Sequence, residues 1–206
     1  MSALEIRQIE PSWANAARVA ELTREVYANT GRYDRTDLDK IANPDDELYV
    51  LKVVDRLYSQ DMPPLQQRYY GLHDHEGRVQ GYSKWAVWDN EDQESFSGGV
   101  DDPLEYHSVV NGIENRVFGA HILALSGEAS FGHGLRLFRH IIKDYPDSTI
   151  KAAVDERDTE LREYVQRVWR MEDTGHVGAV ALGSTGLAPM HRLFKTHVDS
   201  TGKISG

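Results

Sequence analysis

Gly119-Ala120-His121-Ile122-Leu123-Ala124-Leu125 runs into Ser126-Gly127-Glu128-Ala129-Ser130-Phe131-Gly132-His133-Gly134 and then into Leu135-Arg136-Leu137-Phe138-Arg139-His140-Ile141-Ile142-Lys143. The first segment reads as an apolar strand, the second as a glycine-rich turn, the third as a helix. Glycines ahead of a helix let a ligand come close to the backbone, and the free amides of the first turn can hold a phosphate. A phosphate-bearing cofactor is the first functional expectation.

Moving outward, Pro146-Asp147-Ser148 breaks that helix and Thr149-Ile150-Lys151-Ala152-Ala153-Val154 reads as a second strand. From Asp155 to Met171, the residues Leu161, Tyr164, Val165, Val168 and Trp169 mark one face of a further helix. Strand, glycine turn, helix, strand, helix is a βαβα unit, whose crossover should be right-handed and whose two strands should be parallel. This order excludes all-helical and all-antiparallel folds.

Toward the N-terminus, Leu4 to Ile9 alternates like a half-buried strand. A helix follows from Ser12 to Thr30, with Ala16, Val19, Leu22, Val26 and Tyr27 on its buried face and Gly31 at its end. A second helix is expected with Asn43 as N-cap and Pro44 in the first helical position, burying Leu48, Leu51, Val54 and Leu57. Leu65 to Leu72 and Val79 to Trp88 read as a hairpin turning at His73-Asp74-His75-Glu76-Gly77. Asn90 to Gly99 reads as a loop, and Leu104 to Val110 as a short extra strand. Val177 to Leu182 and Met190 to His197 read as closing strands around Gly183-Ser184-Thr185-Gly186, and 199–206 as a disordered tail.

The 206 residues suit one domain with a substantial core, 1–198. No stretch approaches eighteen uninterrupted apolar residues and no signal-peptide pattern is present, so a soluble, cytoplasmic protein without a membrane partner is expected. Zero cysteines exclude disulfides and thiolate chemistry. With 23 basic and 33 acidic residues the formal charge is −10, which disfavours nucleic acid and favours cationic or amine-bearing partners, or else only keeps the surface soluble.

The element order resembles the GCN5-related N-acetyltransferase (GNAT) superfamily over roughly Leu4 to His197. Leu4-Glu5-Ile6-Arg7-Gln8-Ile9-Glu10 looks like the family's opening strand, and His75-Glu76-Gly77-Arg78-Val79-Gln80-Gly81-Tyr82 is similar to its acidic-Gly-x-hydrophobic-x-Gly hairpin. The family's coenzyme motif, Gln/Arg-x-x-Gly-x-Gly/Ala, falls on Ala129-Ser130-Phe131-Gly132-His133-Gly134; both glycines match, and Ala129 replaces Gln or Arg. The resemblance implies an α/β (α+β) fold with a mixed central sheet of about six to seven strands, flanking helices and splayed parallel strands.

It also implies roles. Leu123, Ala124 and Leu125 would offer backbone groups to the pantetheine arm of acetyl-CoA, although an ordinary buried parallel strand explains the same apolar run. Phe131, Gly132, His133 and Gly134 would cradle the pyrophosphate, with Arg136 and, further along, Arg139 in reach of its oxygens or simply solvated. Tyr164 would protonate the leaving thiolate, or be a core tyrosine. Arg157 and Asp158 lie near the position where the family places an Asn-like residue. No general base stands out among Glu128, Asp101, Asp102 and Glu105.

His73 and His75 would make a poor metal site on a turn, and no third ligand lies nearby. Gly-x-Ser-x-Gly is absent, no Gly-Lys-Ser/Thr follows Gly134, and Leu137 stands where a dinucleotide fold would want glycine. The leading reading is an N-acetyltransferase acting on a small-molecule or peptide amine, with a homodimer allowed. The alternative is a catalytically inactive GNAT-like binding module whose acidic surface serves a basic partner.

Overall fold

A computed structural model describes residues 4–29, 31–60, 66–89, 116–125, 131–179 and 189–205. The strands are β1 (Glu5–Gln8), β2 (Gln66–His73), β3 (Val79–Asp89), β4 (Arg116–Leu125), β5 (Ser148–Asp155), β6 (Glu172–Ala179), β7 (Met190–Val198) and β8 (Ile204–Ser205). The helices are α1 (Trp13–Asn29), α2 (Arg35–Ile41), α3 (Glu47–Tyr58), α4 (Phe131–Ile141, prolonged by a 3-10 turn to Asp144) and α5 (Thr159–Arg167). Among the described residues seven strands lie side by side in the order β1-β2-β3-β4-β5-β7-β6, and β8 pairs with β7. Among the described residues only β4 and β5 run parallel, as the βαβα reading requires, and every other pairing is antiparallel.

The period of two along β2 and β3 distributes the core to both faces of the sheet. Tyr70, Leu72 and Trp85 join Leu137, Phe138 and Ile141 of α4 and Tyr164 and Val165 of α5 in one cluster. Tyr69, Val79 and Tyr82 point the other way and pack with Ala16, Val19 and Leu22 of α1 and Val50, Val53 and Leu57 of α3. The sheet is thus sandwiched between two helix layers.

Capping chemistry marks the helix ends. Ser12 Oγ accepts from Asn15 N at 3.1 Å at the start of α1, and Gly31, with φ +65°, closes the turn behind it. Asp158 Oδ1 accepts from Leu161 N at 3.0 Å and starts α5.

Several boundaries differ from the sequence reading. The short helix α2 was not expected. Asp46, not Asn43, caps α3 by accepting from Leu48 N at 2.9 Å, while Asn43 folds an Asx turn onto Asp45 N. The buried stripe of α3 is Val50, Val53 and Leu57, packed with Val19, Leu22 and Tyr69, while Leu48 and Leu51, expected in the core, are exposed. β6 starts at Glu172, five residues early, because a register shift between Asp173 and Val177 lets its polar first half pair with β7.

The tail is also a correction. Asp199 Oδ1 gathers Thr201 N (2.8 Å) and Lys203 N (3.0 Å) into a tight turn, which returns the chain as β8 on the β7 edge. The loop at Asn90, the strand at Leu104 and the loop at Gly183 lie outside the described residues.

Candidate active site

The parallel pair β4–β5 opens. Its ladder runs from Val117↔Thr149 to Ala120↔Ala152, yet β4 continues to Leu125 and β5 to Asp155. Past the divergence each strand keeps its outer partner, β4 pairing Leu123↔Ser83, Ala124↔Tyr82 and Leu125↔Gly81 with β3, and β5 pairing Val154↔Arg192 with β7.

The cause lies in the register of β3 and β4. Trp85 pairs with Ala120 and Lys84 with Ile122, so His121 is an extra residue on β4. Such a bulge bends its strand and increases the local twist, and this one falls where pairing with β5 ends. The edge of β4 from His121 to Leu125 that faces away from β3 therefore has no strand partner among the described residues. Leu123, Ala124 and Leu125 all lie on this edge.

The helix that follows begins earlier than its sequence suggested. Phe131, Gly132, His133 and Gly134 are its first four residues, not a preceding turn. The amides of the first three helical residues have no acceptor within the helix, so Phe131, Gly132 and His133 supply donors there, whereas Gly134 is the fourth residue, whose amide closes the first turn as those of Ala16 and Val50 do in α1 and α3. The first turn holds no acidic residue, while Arg139 and His140 occupy the last turn. Gly134 is buried and His133 half-buried. Arg136 is exposed and its Nη2 donates to the Leu4 carbonyl at 3.2 Å, directing it toward the start of β1.

Tyr164 is 9% exposed and stands edge-on to Trp169, ring centroids 5.8 Å apart. Trp169 in turn stacks on Phe138 at 4.3 Å, and Phe138 on Trp85 at 6.0 Å. Burial raises the Tyr164 phenol above its ordinary value, against smaller opposing effects of the Trp169 indole and the Arg139 guanidinium. It is therefore a protonated phenol at neutral pH.

A cluster missed by the sequence reading sits at the end of β5. Asp155 Oδ2 lies 2.8 Å from Arg157 and 3.2 Å from Arg32. Its carboxyl feels desolvation most strongly, but the hydrogen bonds and charges of Arg157, with the charge of Arg32, outweigh that and hold it below the usual range. Burial, then the Asp155 charge, raise the neighbouring Tyr33 phenol. Tyr27, packed edge-on to Tyr33 at 5.5 Å, is pushed up to about 12, by burial first. Arg32 and Tyr33 come from the connection after α1, and no local spacing announces that they meet β5.

Asp158, weighed beside Tyr164, serves as the α5 N-cap, and Arg157 belongs to the Asp155 cluster. His73 is buried, with Nδ1 3.1 Å from the Gly77 carbonyl, whereas His75 is exposed beside Glu76. Glu128, Ala129, Asp101, Asp102 and Glu105 lie outside the described residues. No helix among the described residues is long and apolar enough to cross a membrane.

No protein-family model matches the sequence, and no curated protein does. Solved structures do match. A GNAT-family acetyltransferase of Streptococcus agalactiae is 12% identical at a TM-score of 0.59, covering 95% of this chain and 96% of its own. The PaiA N-acetyltransferase of Thermoplasma acidophilum, in complex with coenzyme A, is 11% identical at a TM-score of 0.58, with coverages of 95% and 99%. A GNAT-superfamily phosphinothricin acetyltransferase of Sinorhizobium meliloti, in complex with AcCoA, is 13% identical at a TM-score of 0.56, with coverages of 96% and 89%. With its bulged and opened parallel pair and the helix that starts beside it, this chain has the fold of the GNAT acetyltransferases.

Proposed function

We propose that the chain is an acyl-coenzyme A-dependent N-acyltransferase, an N-acetyltransferase moving an acetyl group from acetyl-CoA to an amine, and that residues 1–198 form one domain for this purpose. The observation that carries the reading is the β4–β5 ladder, which stops at Ala120↔Ala152 while both strands continue. A strand edge without a strand partner among the described residues suits an amide-bearing arm, and a helix N-terminus with no acid in its first turn suits a pyrophosphate. Two of the structural neighbours carry the coenzyme or its acetyl form.

The residues that would hold acetyl-CoA follow from those donors. Backbone groups of Leu123, Ala124 and Leu125 would take the pantetheine arm, and the N-terminal turn formed by Phe131, Gly132, His133 and Gly134 would cradle the pyrophosphate. Arg136 would have to leave the Leu4 carbonyl to join them. Bound there, acetyl-CoA supplies an activated thioester carbonyl.

The chain's own part is to orient, exclude water and manage protons. Tyr164 keeps its proton on Oη because burial disfavours the phenolate, which suits it to donate to a leaving sulfur. Asp155 is unsuited to be the base, since two guanidinium groups stabilise its ionised form. Its role is to hold Arg32 and Arg157 at the end of β5. The charge of −10 raises the local concentration of a cationic amine.

Calorimetric titration with acetyl-CoA, followed by a thiol-release assay over a panel of amines, tests the proposal. Micromolar binding and amine-dependent release are expected, with binding abolished in Gly132→Val and Gly134→Val while the fold is kept. Absence of binding at millimolar coenzyme would refute it and leave the binding-module reading.

A further inference from the structure

A groove runs along α4 from Leu135 to Lys143, where it meets the C-terminal end of α5 and the β7–β8 hairpin; its volume is about 350 Å³. That is at the small end of ligand pockets, which run from about 300 to 1,000 Å³. Leu135, Ile142, Val168 and Ile204 give it apolar walls. Arg139, Lys143, Arg170 and Lys203 line it as well, and no acidic residue does. Four cations among nine lining residues run against the composition of a chain with 33 acidic and 23 basic residues. Among the described residues, none of the four has an ion pair.

Compensation of the helix dipole accounts for cations in the last turn of α4, but not for Lys203, which sits on a β-hairpin. The hairpin is pressed against α4: a Cβ on Gly202 would lie 3.4 Å from the Lys143 Cα. Arg170 is the second anomaly. Met171 N closes a 3.0 Å bond onto the Val165 carbonyl, six residues back, and Arg170 takes the left-handed conformation at φ 53°. Glycine fills such a helix-ending position at least cost, yet here the position is an arginine that lines the groove.

We propose that this groove binds a small amphiphile with an anionic head and an apolar body. Such a ligand satisfies the cations with its head and covers the apolar walls with its chain. Along α4 the lining runs from Leu135, next to Gly134, to Lys143, so the apolar Leu135 faces the helix start and the cations Lys143, Arg170 and Lys203 belong to its C-terminal end. The site does not depend on acyl transfer.

The 206-residue chain is titrated with decyl phosphate, decanoate and decyltrimethylammonium below their micelle concentrations. Binding is read by calorimetry and by fluorescence of Trp169, whose chain neighbours Val168 and Arg170 line the groove. One or both anions should saturate at one equivalent, the preferred head identifying a phosphate or a carboxylate ligand, and the cation should not bind. Lys143→Glu combined with Lys203→Glu should weaken the anions at least tenfold. Arg170→Gly relieves the backbone, so it should weaken them while the melting temperature holds or rises. Acetyl-CoA should not displace decyl phosphate. Equal binding of anion and cation, unchanged affinity in the variants, displacement by acetyl-CoA, or no binding at millimolar probe would each overturn the proposal.

Discussion

Replacing Tyr164 by phenylalanine separates chemistry from packing at one atom. The ring stays where it is, edge-on to Trp169 at 5.8 Å within the aromatic cluster, because only the hydroxyl is removed. Losing one hydroxyl hydrogen bond is worth about 0.5–1.5 kcal/mol net. For a chain of this size that shifts the melting temperature by a few degrees, at about 2–4 °C per kcal/mol. A positioned proton donor is worth about 10²- to 10⁴-fold in rate. At about 1.36 kcal/mol per decade this is roughly 2.7–5.4 kcal/mol of barrier, well beyond the packing effect. Turnover in the thiol-release assay should therefore collapse while coenzyme affinity stays and the melting temperature falls by no more than those few degrees. A pH profile adds a second readout. Burial raises the phenol above 10, so Tyr164 should cause no alkaline loss of activity below that pH. Turnover within a few-fold of wild type would refute the argument and make Tyr164 a core residue.

Three further outcomes are expected. Asp155→Asn should lower stability at pH 7, and the gap to wild type should close on acidification. The folded-state carboxyl titrates below its unfolded value, so its contribution is present above about pH 4 and lost as pH falls through the folded value; parallel melting curves from pH 7 to 2 would contradict this. Phe138→Ala removes a ring 1% exposed and stacked on Trp169 at 4.3 Å, and should cost about 3–5 kcal/mol by denaturant unfolding. Asp46→Ala should cost about 1 kcal/mol by the same measurement and Asn43→Ala less, since Asp46 holds the α3 amide and Asn43 only a turn ahead of it; the reverse order would return the cap to Asn43.

Periodicity and punctuation determined much of this protein on their own. The apolar run into Leu125, the glycines at 132 and 134, the strand to Val154 and the face Leu161-Tyr164-Val165-Val168-Trp169 suffice for a βαβα unit, because each pattern is local and its period is set by backbone geometry. Boundaries were less legible where two caps compete within a few residues, as at Asn43 and Asp46, or where a polar strand is held only by its neighbour, as in the first half of β6 and in β8. What only the tertiary structure decided concerns contacts between distant segments. His121 is a bulge only because Lys84 and Trp85 pair on either side of it. The opening exists only because β4 and β5 keep different outer partners beyond Ala120↔Ala152. Arg32 and Arg157 meet on Asp155 across more than a hundred residues of chain, and Lys203 reaches the end of α4 through a turn built by Asp199. Local sequence carries period, capping and turn chemistry, but no record of which remote edge or charge will be adjacent once the core has closed.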